Sequence, residues 1–302
     1  MFSPIARSGT GASGASTGFG NVTDLVFTKQ RGSTQTYAWT DRLRGATKEL
    51  TSAATTVETA YANDVTGFDT MTGFLFGSGA SGQVNTSGST YVDYLFKRAP
   101  GFFDVVCYTG VTGVTTVPHN LNAVPELMIV TGRSSTTGAW FVYSSVLGNT
   151  TDLYLNTTAA AAGGSSSWNS QTPTNTVFYK GSSSGNTNTN GITFVAYLFA
   201  TLTGISKVGS YTGTGSTQTI SCGFTGGARF VLIKRTDSTG DWYIWDTARG
   251  MVSGTDPSLL LNSTAAEVNA NSIYTTTGGF QIVSTAAGIN ASGGSYIYLA
   301  IA

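Results

Sequence analysis

The sequence predicts an all-β protein made of three tandem, homologous β-sandwich-like modules with little or no helix. Two observations predict this fold class. One segment recurs twice at a spacing close to 100 residues, and short apolar segments alternate with turn residues along the whole chain. About seven short strands per repeat of this length are typical of a sandwich or barrel. The sequence shows no alternation of strand and helix patterns, which excludes parallel α/β folds.

The recurring segment consists of an Asn, a Gly three residues later and an aromatic residue three residues after that. Its copies begin at Asn85, Asn188 and Asn290, at spacings of 103 and 102 residues. Asn and Gly tolerate positive φ, and the aromatic and β-branched residues that follow suit a pleated surface, so each copy predicts a polar turn that leads into a strand. The period predicts modules at 5–98, 103–201 and 206–302.

The first module contains three apolar segments before its copy of the recurring segment. They predict strands, with the sequences DLVFTK at 24–29, TYAWTD at 36–41 and GFLFG at 73–77. SGTGASG at 8–14 predicts a flexible lead. The segment 53–62 has the best helix composition of the chain, but its Thr pairs and its brevity favour a loop.

The second and third modules repeat this order of apolar segments. The predicted strands of the second module are ELMIVTG at 126–132, AWFVYSS at 139–145, DLYL at 152–155 and NTVFYKG at 175–181. Those of the third are RFVLIKR at 229–235, DWYIWDTARG at 241–250, SLLL at 258–261 and GGFQIVS at 278–284.

Two features of these strands predict how they pack. When the second strands are aligned on the Gly that follows them, Tyr37, Trp140 and Trp242 are equivalent, and they are predicted to lie in the core. Strands such as LMIV at 127–130 and FVLI at 230–233 are apolar on both faces, whereas a strand with one face in water alternates apolar and polar residues. Such strands need cover on both sides, from packing between modules or from a subunit interface.

The composition excludes several classes of function. Charged residues make up 10% of the 302 residues and the net charge is zero, against roughly 25% charged residues in ordinary globular proteins. Without a basic patch, nucleic acid is not an expected partner. No apolar segment approaches the ~20 residues that span a membrane, and MFSPIARSGTGASG lacks the apolar core of a signal peptide. Cys107 and Cys222 occupy unrelated positions in their modules, so free, buried thiols are expected.

The sequence predicts no catalytic, cofactor-binding or metal-binding residues. His119 lies between prolines in VPHNLNAVP without a nucleophile motif, which favours a turn His bonded to nearby backbone. No cluster of Cys and His has the spacing of a zinc site, although a calcium ion held by loop carbonyls stays open. The Asp pairs that a glycosidase would need do not recur in the second module and are predicted to be exposed loop residues; they are Asp64/Asp69, Asp237/Asp241 and Asp246/Asp256.

Two places could stack on a sugar ring. Trp168 stands alone in a Ser-rich and Gly-rich loop, and with Ser167 and Asn169 it is the candidate glycan-binding site; a loop pinned by its one large residue is the alternative. If Trp168 is exposed, its replacement by Ala costs less than about 1 kcal/mol. Tyr243 and Trp245 share the other face of their strand, where contact with a neighbouring sheet is favoured over a sugar platform.

Several strings resemble the tandem all-β modules of bacteriophage and prophage tail-fibre-like virion proteins. They include DLVFTKQRGS and DRLRGATKEL in the first module, and FVLIKRTDSTGDWYIWDTARG and LLLNSTAAE in the third. The resemblance covers nearly the whole chain, and its marks are Lys29 or Lys234 on an apolar strand and the Arg-Gly pairs Arg44/Gly45 and Arg249/Gly250. The second module departs most, because Leu147 precedes its Gly.

The resemblance implies a virion structural protein that is made in the host cytoplasm and is not an enzyme. A tail-fibre or tail-tip subunit for host-surface attachment is favoured, with a capsid decoration protein and a tailspike-type polysaccharide depolymerase as alternatives. The expected partners are other virion proteins, further copies in a homo-oligomer such as a trimer, and a host surface glycan. Nucleic acid and membrane insertion are not expected, and no cofactor is implied.

Overall fold

The computed structural model describes residues 1–79, 81–135, 139–164, 166–181 and 187–302. The fold is nearly all β, with 43% of residues in strands and 1% in helix, which confirms the predicted all-β class. The one helix among the described residues, α1, is a single turn at Ala287–Asn290. None of the helical structure described is long or apolar enough to cross a membrane.

The strands are given in three groups, one for each copy of the recurring segment, here called the first, second and third repeats. The first repeat contains β1 (Phe2–Ser8), β2 (Gly14–Thr17), β3 (Leu25–Gln30), β4 (Ala38–Asp41), β5 (Lys48–Glu49), β6 (Thr59–Ala60), β7 (Val65–Gly67), β8 (Gly73–Phe76) and β9 (Thr90–Phe96). The second contains β10 (Phe103–Thr109), β11 (Thr115–Pro118), β12 (Leu127–Gly132), β13 (Phe141–Ser144), β14 (Thr151–Tyr154), β15 (Ala162–Gly163), β16 (Val177–Lys180) and β17 (Thr193–Phe199). The third contains β18 (Ser206–Thr212), β19 (Gln218–Ser221), β20 (Phe230–Arg235), β21 (Trp242–Asp246), β22 (Asp256–Leu260), β23 (Val268–Ala270), β24 (Ile273–Thr276), β25 (Gly279–Ile282) and β26 (Ser295–Ile301).

The large sheet of each repeat has the same strand order. The strand of the recurring segment lies in the middle, paired antiparallel on both sides, as β1-β9-β3-β4, β10-β17-β12-β13 and β18-β26-β20-β21. In the second and third repeats the order continues through β14-β15 and β22-β23. The central strand has no solvent edge, and nearly all of its residues are buried, on both faces of the sheet. The predicted boundaries between modules stay a prediction, although the ladder pairs of these strands all lie within one repeat.

The start of the first repeat differs from the prediction. Its first strand begins at Phe2, which pairs with Phe96 as Phe103 pairs with Phe199 in the second repeat. The segment predicted as a flexible lead contains the end of this strand and the first residue of β2. Gly and Ser weaken a strand signal in sequence, but here the neighbouring strands supply the backbone partners.

Each large sheet packs its outer face on a smaller sheet of the same repeat, which makes a sandwich. In the first repeat Val26 and Leu95 of the large sheet contact Phe74 and Phe76 of the small sheet β2-β8-β7 within one core cluster. The second and third repeats use β11-β16 and β19-β25-β24 in the same way.

The inner faces of the three large sheets share one core. Tyr37, Trp140 and Trp242, predicted as core residues, are at most 1% exposed and all belong to it. Rings from different repeats are in contact in this core: the centroids of Trp39 and Trp140 are 5.2 Å apart, and Trp39 lies 5.3 Å from Tyr197. The second cover that the two-sided apolar strands require therefore comes from the chain itself.

The repeats are joined in a closed ring by three equivalent backbone hydrogen bonds. The amide of Glu58 donates to the Arg133 carbonyl of the second repeat, and the amide of Ala161 donates to the Thr236 carbonyl of the third, each at 2.8 Å. The amide of Glu267 in the third repeat then donates to the Arg31 carbonyl of the first, also at 2.8 Å. The arrangement has approximate threefold symmetry within one chain.

The Asn of the recurring segment has a role that its turn propensity did not predict. Asn85, Asn188 and Asn290 are fully buried, and none of them has positive φ; the glycines three residues later do. Each Asn side chain accepts a hydrogen bond from a backbone amide at 2.9 Å and donates two to backbone carbonyls at 2.8 Å. The segment recurs because this side chain ties together the loops at one end of each sandwich.

An isolated second repeat is expected to associate. A fragment of residues 103–202 exposes the inner face of its large sheet, including Trp140, Val142 and Tyr197, which the other repeats cover in the whole chain. Large exposed apolar patches drive association. Sedimentation velocity of the fragment is expected to show dimers or aggregates, whereas a stable monomer would mean that each sandwich folds independently of the ring.

Candidate functional site

The candidate glycan site is not open at Trp168, because the expected exposure of this ring is wrong. Trp168 is 1% exposed and packs edge-on against Tyr143, with ring centroids 5.6 Å apart. Ser167 is also buried and donates to the Asp152 carboxylate at 2.5 Å. Asn169 is half-buried and has a φ of 53°, which marks a tight turn. The indole has no free face for a sugar because its loop folds back onto the sheet. The sequence also predicts a polar loop at 181–191, which lies partly outside the described residues.

Trp168 fills, in the second repeat, a position that is an open cavity in the first and third. Glu49, Asp152 and Ser258 are equivalent positions. Their partners in the antiparallel pairing are Thr59, Ala162 and Val268. Each of these partners directly follows the residue whose amide donates to the next repeat. Glu49 lines a cavity of about 350 Å³, and Ser258 lines one of about 300 Å³. Trp168 sits instead beside Asp152, and burial raises the pKa of that carboxyl against the smaller, lowering effects of Ser167 and Trp168.

The cavity in the third repeat contains the aromatic pair that the sequence offered as a sugar platform. The rings of Tyr243 and Trp245 stack at 5.6 Å with planes 15° apart. Trp245 is 1% exposed, in agreement with the predicted packing against a neighbouring sheet, and Tyr243 is half-buried. The rest of the wall is mostly apolar and includes Leu260 and the exposed Val268.

The ring contact between the first and second repeats contains a buried network of charges, here called the first clamp: Asp41, Arg44, Glu58, Arg133 and Tyr197. Arg44 forms a salt bridge with Asp41 and donates to Glu58 at 3.0 Å. From the second repeat, Arg133 binds both oxygens of Glu58 at 2.9 and 3.0 Å, and the Tyr197 hydroxyl donates to Asp41 at 3.0 Å. The side chains of Asp41 and Arg44 are fully buried.

The contact between the third and first repeats contains the same network, here called the second clamp: Asp246, Arg249, Glu267, Arg31 and Tyr94. Arg249 bridges Asp246 and Glu267, and Arg31 of the first repeat binds both Glu267 oxygens at 2.7 and 2.9 Å. The Tyr94 hydroxyl donates to Asp246 at 2.9 Å. In both clamps the Gly after the Arg has a φ of 100–102°, a left-handed conformation that favours Gly.

At the contact between the second and third repeats, all five clamp positions are uncharged. The equivalent residues are Ser144, Leu147, Ala161, Thr236 and Leu299. The backbone bond from Ala161 to Thr236 is retained, and Leu299 and Leu147 belong to or pack against the common core. The network is therefore present or absent as a unit, as expected if a buried charge without its partners is costly.

Two buried lysines add to the ring contacts. The ammonium groups of Lys29 and Lys234 donate to the carbonyls of Thr264 and Thr158 in the neighbouring repeat, at 2.9 and 3.1 Å. Both side chains belong to residues that are 0% exposed, and burial lowers the pKa of each to about 8. In the second repeat the position equivalent to Lys29 and Lys234 is Thr131, which is uncharged.

The clamps predict loss of stability in acid. Burial by itself raises the pKa of Glu58, but the hydrogen bonds from Arg133 and the charge of Arg44 outweigh it and hold the pKa below its ordinary value of 4.5; Glu267 behaves alike. A carboxylate whose pKa is lowered by folding stabilises the fold above its unfolded pKa, and this contribution is lost as the pH falls through the folded pKa.

The test compares wild type with the Glu58→Gln variant by urea unfolding between pH 7 and pH 3. Wild type is expected to be the more stable protein at pH 7, and the difference is expected to shrink as the pH falls below about 4.5. A difference that stays constant over this range would contradict the proposed ion pairing of Glu58.

The remaining candidate residues have structural partners. Asp64, Asp246 and Asp256 are at most 1% exposed, so the prediction that the Asp pairs lie in exposed loops is wrong for these three; Asp69 is exposed. His119 has the predicted structural role, since its ring accepts from the Leu121 amide at 3.3 Å and contacts the Thr174 carbonyl at 3.2 Å.

Burial sets the ionisation of His119 and of the two thiols. Burial lowers the pKa of His119, against the effects of Thr174 and Asp104. Cys107 and Cys222 are free, and burial raises the pKa of each thiol to about 11. Both thiols are therefore protonated at neutral pH, when a thiol is a poor nucleophile.

The clamps have a signal in the sequence. Asp41 and Arg44 precede Gly45 with the same spacing as Asp246 and Arg249 before Gly250, and the second repeat has Ser and Leu at these positions. The sequence could not show that Glu58 and Arg133 meet across two repeats.

Comparison with known proteins gives one family. The family model described as Domain of unknown function (DUF7483) matches residues 1–302, the whole chain. No curated protein matches the chain.

Proposed function

Because the chain belongs to the family described as Domain of unknown function (DUF7483), we propose its function from its own residues. The protein is a bacteriophage virion structural protein, a tail-fibre or tail-tip subunit that takes part in attachment to the host surface. One observation carries this proposal: the Arg-Gly pairs on which the resemblance to virion modules rests belong to the two clamps. The resemblance thus concerns residues that hold the whole chain together.

The architecture supports a load-resisting component. The ring closes within one chain, and its charged groups are used between repeats: the side chains of Arg44 and Arg249 are fully buried. Breaking a buried pair by removing one partner is strongly destabilising, so separation of the repeats is opposed by the charges as well as by the common core. Resistance to separation of the repeats suits a component of a virus particle, which has to persist outside the cell.

A capsid decoration protein is a second candidate, favoured by the approximate threefold symmetry of the ring. A body with three similar sides can contact three similar neighbours around one axis, as at a threefold position of a shell. A depolymerase role receives no such support, since Asp246 of the proposed pairs is bound within the second clamp.

The test is the position of the protein in particles of the phage or prophage that encodes it. Mass spectrometry of gradient-purified particles is expected to detect the chain, and gold-labelled antibody is expected to mark the tail. Label on the head would replace the tail-fibre proposal with the decoration protein. Absence of the chain from washed particles would overturn both.

A further inference from the structure

The cavity of the first repeat lies between the loop that joins β5 to β6 and the neighbouring third repeat. Its volume is about 350 Å³, and its wall includes Glu49, Gln83, Thr36 and Tyr61 together with Thr264 of the third repeat. This volume is near the lower end of the roughly 300–1,000 Å³ of small-molecule sites. The cavity therefore suits a ligand of about one ring.

Three residues that line the cavity carry buried polar atoms without hydrogen-bond partners. Glu49 is 2% exposed and Gln83 is 7% exposed. Four buried oxygens have no hydrogen-bond partner in the described residues: both carboxyl oxygens of Glu49, the amide oxygen of Gln83 and the hydroxyl of Thr36. The carboxyl of Asp64 lies beside Glu49, and the two can share one proton. Buried polar side chains almost always have a partner in the protein or in a bound molecule. Their convergence on one cavity indicates that a ligand supplies the missing donors.

The charge of the wall limits what that ligand can be. Burial, together with the smaller effect of the Asp64 carboxyl beside it, raises the pKa of Glu49 to about 8 against the lowering effect of Arg44. At this pKa Glu49 is protonated at neutral pH, and the Asp64 carboxyl beside it accepts a hydrogen bond from the Ser81 hydroxyl. The Glu49 carbonyl oxygen and the Gln83 amide oxygen then remain as neutral acceptors.

The equivalent positions in the other repeats do not have this chemistry. In the second repeat the Asp152 carboxyl is bound by Ser167, and Trp168 occupies the space. In the third repeat the position is Ser258, and the surrounding wall is mostly apolar. The same fold thus provides one filled position, one apolar cavity and one cavity with unpartnered acceptors.

We propose that the first-repeat cavity binds one saccharide ring through its hydroxyl groups. A sugar hydroxyl donates to the Glu49 and Gln83 oxygens, and an uncharged ring suits an uncharged wall. Tyr61, Val57 and the methyl groups of the threonines supply the apolar surface for the C–H face of the ring. The inference deepens the proposed attachment function and rests on it for its biological meaning.

The experiment uses the full-length protein and a panel of glucose, galactose, mannose, rhamnose and N-acetylglucosamine, followed by saturation-transfer NMR and calorimetry. At least one of these sugars is expected to bind. Gln83→Ala and Thr36→Val are each expected to weaken that binding about tenfold, by the loss of one hydrogen bond, and Glu49→Leu is expected to abolish it. Ser258→Ala, the matched change in the third-repeat cavity, is expected to leave it unchanged.

Two results would overturn the inference: no binding of any sugar in the panel, or binding that Gln83→Ala and Thr36→Val leave intact. Stabilisation by calcium chloride that Glu49→Leu removes, without sugar binding, would overturn it in favour of a cation. Gln83→Ala and Thr36→Val keep the test open if Glu49→Leu does not fold. Because the assay needs no particle, its failure is distinguishable from absence of the protein in virions.

Discussion

Replacement of Arg44 by Leu is expected to lower the free energy of unfolding by about 3–5 kcal/mol. The change leaves Asp41 buried beside Tyr197 without its cation and leaves Glu58 with Arg133 alone. Leucine is the residue that the second repeat has at this position, so the loss would not come from shape. It would come from the uncompensated carboxylate.

The matched control removes the whole first clamp. A variant with Asp41→Ser, Arg44→Leu, Glu58→Ala, Arg133→Thr and Tyr197→Leu has the residues of the uncharged contact between the second and third repeats. Replacing a complete buried charge network by uncharged residues is often neutral or stabilising. This variant is therefore expected to be more stable than Arg44→Leu, although it carries four more substitutions.

Urea unfolding followed by tryptophan fluorescence measures both variants against wild type. If Arg44→Leu unfolds at the wild-type midpoint, the first clamp does not contribute to stability. If the five-residue variant is the less stable of the two, the clamp residues do not act as a unit, and the equivalence of the three contacts is only geometric.

Replacement of Trp168 by Ala is expected to cost about 3–5 kcal/mol, because it empties a buried position against Tyr143. This value replaces the loss of less than about 1 kcal/mol that follows from an exposed ring. Trp242→Ala, which empties the common core and removes the indole bond to the Tyr154 carbonyl, is expected to cost a similar amount. The two variants should therefore have similar thermal midpoints.

Met71→Ala is the control, since Met71 is 74% exposed and surface changes usually stay within about 0.5 kcal/mol. Differential scanning calorimetry of the three variants is sufficient. A midpoint for Trp168→Ala that equals that of Met71→Ala would show that the indole does not pack on the sheet, and the glycan site at Trp168 would become plausible again.

The sequence by itself determined the all-β fold class, the recurrence of the Asn-Gly-aromatic segment and the burial of Tyr37, Trp140 and Trp242. Short apolar segments and turn residues report local conformation, so they predicted strands that the structure contains. The Asn-Gly-aromatic segment recurs at spacings of 103 and 102 residues. This spacing identified equivalent residues in the three repeats, because the repeats keep the residues that their shared packing needs. The apolar residues on both faces of β12 and β20 also predicted that the strands are covered twice.

Only the tertiary structure decided which residues meet. Trp168 in a polar loop has no local signal for burial, since its cover comes from Tyr143 and Asp152 in strands before it. Glu58 and Arg133 are 75 residues apart, and Glu267 and Arg31 are 236 apart, so no pattern within one repeat connects them. Charged and polar residues have equal local preferences in a solvated loop and in a buried clamp. Burial and partners separate the two cases, and both arise only from tertiary packing within and between the repeats.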